Sequence, residues 1–139
     1  DILWRHTTTG QNWMYLMDGP SIATSAGVST VASVWQIAGN GDYNGDGKAD
    51  ILWRHTSTGQ NRMYLMNGPT VATSAAVNTV STNWQVAGNG DYDGDGKADI
   101  LWRHTGTGQN WMYLMDGPTV VARAGVNTVP TSWQVVNVD

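Results

Sequence analysis

The heptapeptide Asp-Ile-Leu-Trp-Arg-His-Thr starts at Asp1, again at Asp50 and again at Asp99, so the chain repeats every 49 residues without insertion. A strict repeat restricts the fold more than any other feature. Each unit must fold the same way and bury its apolar surface against the next one. The units are 1–49, 50–98 and 99–139, and together they read as one repeat domain over residues 1–139. The first two units differ at twelve positions.

Within a unit the pattern is that of short strands. Asp50 to Thr56 is an apolar run with β-branched and aromatic content, and Thr58-Gly59 is a turn signal. Gln60 to Met66 reads as the return strand, ended by Asn67-Gly68-Pro69. Thr70 to Val80 is a third β region, rich in Val, Thr and Ala, and Trp84 to Gly88 a fourth. A helix over Val71–Val80 is disfavoured by its β-branched residues and its lack of charge. Four strands at a period near fifty predict an all-β chain, a β-propeller built of three near-identical four-stranded blades of 49 residues.

Composition narrows the chemistry. All eleven acidic residues are Asp, and Asp serves turns and metal loops where Glu serves helices. The net charge of −4 and the absence of a basic patch exclude a nucleic-acid partner. No apolar run reaches the length of a membrane-spanning helix, so membrane insertion is not expected. Cysteine is absent, which removes disulfides and thiol catalysis. With no initial Met and no leader, the chain reads as a mature or excised segment.

The strongest chemical motif is Asp42-Tyr43-Asn44-Gly45-Asp46-Gly47-Lys48-Ala49-Asp50, which recurs as Asp91-Tyr92-Asp93-Gly94-Asp95-Gly96-Lys97-Ala98-Asp99. Oxygen ligands stand at positions 1, 3 and 5, and Gly at 6, as at the start of a calcium-binding EF-hand loop. Position 7 (Lys48, Lys97) would offer its backbone carbonyl and leave its ammonium in solvent, and the Asp at position 9 would close the shell. No Glu stands at position 12, and no helix flanks the loop. The expectation is therefore two calcium sites per chain, each in a β-hairpin. The third unit stops before its loop.

The phrase from Trp84 through Asp91-Tyr92-Asp93-Gly94-Asp95-Gly96-Lys97-Ala98-Asp99 to Arg103 resembles the FG-GAP/VCBS repeat family. Members of that family are propeller blades, as in the head of integrin α-subunits. The resemblance implies calcium at Asp42, Asn44, Asp46 and Asp50, and at Asp91, Asp93, Asp95 and Asp99. Tyr43 and Tyr92 stand where the family often has Phe. Some bacterial and fungal lectins have similar blades and hold sugars between them. This suggests a multivalent carbohydrate-binding protein, with an extracellular adhesion or assembly scaffold, or a fragment of a larger repeat protein, as the alternatives. The family's habits and extracellular calcium imply a secreted protein.

Three units cannot easily close a ring, because propellers use four to eight blades. The last segment, Trp133–Asp139, reads as the strand that precedes an aspartate loop, free to complete the blade begun at Asp1. Two copies would then form six blades with twofold symmetry, so a homodimer is expected. Catalysis is not expected: His6, His55 and His104 occupy one equivalent position, and no nucleophile motif is present. For binding, the informative position is the variable one, Trp13, Arg62 and Trp111, with Asn12, Asn61 and Asn110 beside it. A flat ring stacks on a sugar face, and Arg hydrogen-bonds hydroxyls or carboxylates. The invariant sets Trp4/Trp53/Trp102 and Trp35/Trp84/Trp133 read as core.

Overall fold

The computed structural model describes residues 1–136, and these form eleven strands and no helix. They are β1 (Ile2–Arg5), β2 (Asn12–Asp18), β3 (Ser21–Val28), β4 (Trp35–Gly41), β5 (Asp50–His55), β6 (Asn61–Asn67), β7 (Thr70–Val77), β8 (Trp84–Gly90), β9 (Asp99–His104), β10 (Gln109–Asp116) and β11 (Thr119–Thr128). They make three antiparallel sheets, ordered β1-β2-β3, β4-β5-β6-β7 and β8-β9-β10-β11. The sheets are out of phase with the sequence repeat. The aspartate loop is the β4–β5 or β8–β9 hairpin connection, so the last strand of one repeat is the first strand of the next sheet.

Strand alternation decides what packs between sheets. Leu52, Met63 and Val77 on one face of the second sheet meet Ile100, Trp102, Tyr113 and Met115 of the third. The opposite face of the second sheet carries Ile51, Trp53 and Met66, which pack on Met14 and Leu16 of the first. The second sheet is therefore apolar on both faces, as expected where a sheet stacks on two neighbours. Close approach of the inner strands demands glycine: a Cβ on Gly39 would overlap the Asn89 side chain, and one on Gly41 would lie 2.7 Å from the Ala98 Cβ.

A second device joins the sheets. Arg54 donates to the carbonyls of Gly59, Val80, Ser81 and Trp84 and to Asn61 Oδ1, at 2.8–3.1 Å. Its guanidinium carbon sits 4.9 Å from the centre of the Trp102 ring. Arg5 repeats the arrangement over Trp53, also at 4.9 Å. Arg103 makes the same five bonds within its own unit. Burial pulls the pKa of Arg5 and Arg54 down from the ordinary arginine value, yet a guanidinium stays charged. One cation thus collects the orphan carbonyls of a long loop that has no strand to satisfy them.

Two expectations need correction here. Trp133–Asp139 was expected to be a strand. Trp133 to Val136 is irregular, because no neighbouring strand presents a ladder to it, and residues 137–139 lie outside the described residues. The invariant tryptophans are not uniformly core. Trp53 and Trp102 are 1% exposed, but Trp4 is 53% exposed and Trp133 68%. The same side chain is core only where an adjacent sheet covers it.

Candidate functional site

The two aspartate loops fold alike. Asp91 Oδ1 accepts from the amides of Gly94 and Asp95, and its Oδ2 accepts from Gly96 N. Asp93 and Asp95 each accept from the amide two residues on. In the first loop Asp42, Asn44 and Asp46 do the same. Gly45, Gly47, Gly94 and Gly96 have φ between 78° and 86°, a conformation that other residues rarely adopt. The side chains of the loop are therefore held inward by the backbone itself.

Asp50 and Asp99 are straps. Asp99 Oδ2 accepts from Tyr92 N in the loop, and Oδ1 accepts from Met115 N in β10. Asp50 does the same with Tyr43 and Met66. Both carboxylates are at most 1% exposed. Burial raises their pKa, the two amide bonds oppose this, and the loop's other carboxylates raise it further. Asp1, at the matching place in the first unit, accepts from Met17 N.

Carboxylate oxygens of Asp91, Asp93 and Asp99 all lie within 4.8 Å of one another. Ligands of one calcium ion, each about 2.4 Å from it, stand no more than about 5 Å apart, so the three fit a single hard cation. Asp95 lies outside this group and bonds its own turn. In the first loop Asn44 replaces the middle carboxylate, so it presents an amide oxygen at that place. The two lysines differ. The Lys97 ammonium is not left to solvent as the sequence suggested: it pairs with Asp116 at 3.1 Å and lies 3.8 Å from Asp95. The hydrogen bond to Asp116 raises its pKa. This happens because the turn after β10 stands beside the first loop, where Tyr43 O accepts from Gly117 N.

Tyr43 was not singled out as more than a packing residue, and it does more. It is fully buried and donates its hydroxyl to Asn89 Oδ1. Burial and the carboxylates of Asp50 and Asp99 push its pKa up. It pins the first loop to the third sheet. Its counterpart Tyr92 is 44% exposed. The sequence carried no signal that separates the two, since Tyr92 stands in the same motif and only the neighbouring sheet differs.

Among the candidate ligand-binding residues, alternation separates what the sequence placed together. Trp13, Arg62 and Trp111 stand on the face opposite to Asn12, Asn61 and Asn110. The three asparagines are buried, accept from the Arg5, Arg54 and Arg103 guanidinia and donate to the Ser29, Asn78 and Asn127 carbonyls. They are scaffold, and the expectation that they contact a ligand is corrected. Trp13 and Trp111 remain 49% and 39% exposed.

Trp111 lines a cavity of about 280 Å³ between the second and third sheets. Thr79, Val80 and Ser81 form one wall. Trp84, Trp102, Trp111, Tyr113 and Arg123 of the third sheet form the other. Arg54 stiffens the first wall by holding the carbonyls of Val80 and Ser81. The histidines lie elsewhere in function: His6, His55 and His104 accept two turn amides each through Nδ1.

The family model of the FG-GAP-like repeat matches residues 42–102, from the first aspartate loop into β9. No curated protein matches the chain, and no solved structure does.

Proposed function

We propose that this chain, whose residues 42–102 match the family model of the FG-GAP-like repeat, is a calcium-stabilised, propeller-type binding module that takes carbohydrate between neighbouring blades. The observation that carries this reading is the cavity between the second and third sheets, where the half-exposed Trp111 ring stands opposite hydroxyl-bearing Thr79 and Ser81. Aromatic faces take the C–H side of a sugar, while hydroxyls and backbone carbonyls take its polar edge. A rigid cavity lowers the ordering cost of a weak ligand, and repetition adds avidity on a multivalent glycan. The aspartate loops, with the carboxylates of Asp91, Asp93 and Asp99 converging, supply calcium sites that brace the hairpins. Such sites fill in an extracellular setting, where calcium is plentiful. The reading is of a binding protein and not of an enzyme.

A glycan array run in calcium tests it, with Trp111→Ala alongside. We expect the variant to melt within a few degrees of the parent, since the ring is part-exposed, and to lose at least tenfold in sugar affinity. An array silent at every sugar would favour the adhesion or assembly scaffold instead.

Association follows from the same architecture. β1 pairs with β2 on one side only among the described residues, and Trp4 within it is largely uncovered. An open strand edge recruits another strand. A second copy pairing there would give six blades with twofold symmetry. Light scattering is expected to give twice the 15.0 kDa chain mass. A stable, folded monomer would overturn this.

A further inference from the structure

The third unit breaks the repeat at the cavity. In the first unit Trp13 Nε1 donates to Ser25 Oγ at 2.7 Å, and in the second Arg62 donates to Ser74 Oγ at 2.9 Å. The third unit has Arg123 in place of that serine. The substitution removes an acceptor and adds a cation. Trp111 Nε1 is left without an acceptor among the described residues, and the Arg123 guanidinium has neither a hydrogen bond nor an ion pair there. Two donor groups, one of them cationic, thus share one cavity. Both groups are exposed and can pair with an acceptor brought from outside, and an ionised acceptor pairs most strongly with the guanidinium.

We propose that this cavity selects an acidic sugar, a uronic-acid-type ring whose carboxylate pairs with Arg123 while its C–H face lies on Trp111. Arg123 matches a carboxylate in a two-pronged geometry that a neutral hydroxyl cannot supply. The cavity is large enough for one pyranose ring. Specificity would then sit in the third unit alone, because Arg62 in the second already has Ser74 as its acceptor. The inference rests on the carbohydrate reading above and deepens it.

Titration of the full chain with methyl galacturonide and methyl galactoside, followed by tryptophan fluorescence at fixed calcium, tests it. These probes differ only in the carboxylate. We expect the uronide to bind at least tenfold tighter, the advantage to shrink as salt rises, and Arg123→Ser to abolish it without moving the melting temperature. Arg123→Lys should keep part of the preference. Equal affinities for the two sugars would overturn the acidic selectivity and leave the carbohydrate reading standing. A preference that survives Arg123→Ser would overturn the assignment to this cavity. Binding of neither sugar, together with a silent array, would overturn both readings. Tighter binding of an acidic peptide than of the uronide, lost in Arg123→Ser, would overturn the sugar and assign the site to a protein partner.

Discussion

Replacing Arg54 with alanine is expected to lower stability by about 3–5 kcal/mol, the largest effect of any single substitution outside the apolar core. Hydrogen bonds to a charged group are each worth about 1.5–3 kcal/mol net, though they do not add fully. Arg54 makes five, to Gly59, Asn61, Val80, Ser81 and Trp84. Trp84 opens β8, so one of these bonds crosses from the second sheet to the third, and the guanidinium also covers the Trp102 ring. Alanine leaves the loop carbonyls short of a donor and uncovers a tryptophan. Against the 5–15 kcal/mol typical of a whole domain, this is a large share. Urea unfolding measures it, and Arg54→Lys should recover only a minor part, since an ammonium cannot span acceptors arranged for a planar fork. A loss under 1 kcal/mol would show that water replaces the guanidinium.

Calcium removal is expected to have an effect of similar size. If the two loops hold calcium as proposed, at a free concentration about 100-fold above the dissociation constant each site would contribute about 2.7 kcal/mol, and the two loops about 5 kcal/mol. For a chain of this size the melting temperature should fall by about 10–20 °C in chelator. Without the ion, Asp91, Asp93 and Asp99 stand within 4.8 Å of one another with like charge, and Asp99 is buried. Magnesium should restore little, because it demands a tighter octahedral shell. Asp99→Asn also loses a strap to Tyr92 or Met115, so its own melting temperature says little about the ion. Its informative readout is the calcium-dependent increment, which should fall by about half. Equal melting temperatures in calcium and in chelator would remove the metal from the account.

Much of this architecture was legible in the chain. The boundaries of β5, β7 and β8 fall within three residues of the sequence expectation, because turn residues such as Gly59 and Asn67-Gly68 punctuate them. Gly59 has φ 73°, and a Cβ there would overlap the Val80 carbonyl, so the turn could not have been built from another residue. The aspartate loops were legible for the same reason, since alternating Asp and Gly leave the backbone few other conformations. Less was visible of the binding surface. Asn12 and Trp13 are neighbours in sequence but lie on opposite faces of β2, and only the sheet's partners reveal which face is covered.

The repeat alone determined that each unit is the same β element, stacked on its copies and turned at the same glycines. Local interactions suffice for that, and they recur wherever the sequence recurs. What the tertiary structure decided is where identical residues stop being equivalent. Trp53 and Trp102 are core and Trp4 is not; Tyr43 is locked in the next sheet and Tyr92 is part-exposed. Lys97 finds Asp116, while Lys48 has no ion pair among the described residues. Burial and pairing depend on the neighbour, and a repeat of identical words has different neighbours at each place in the stack.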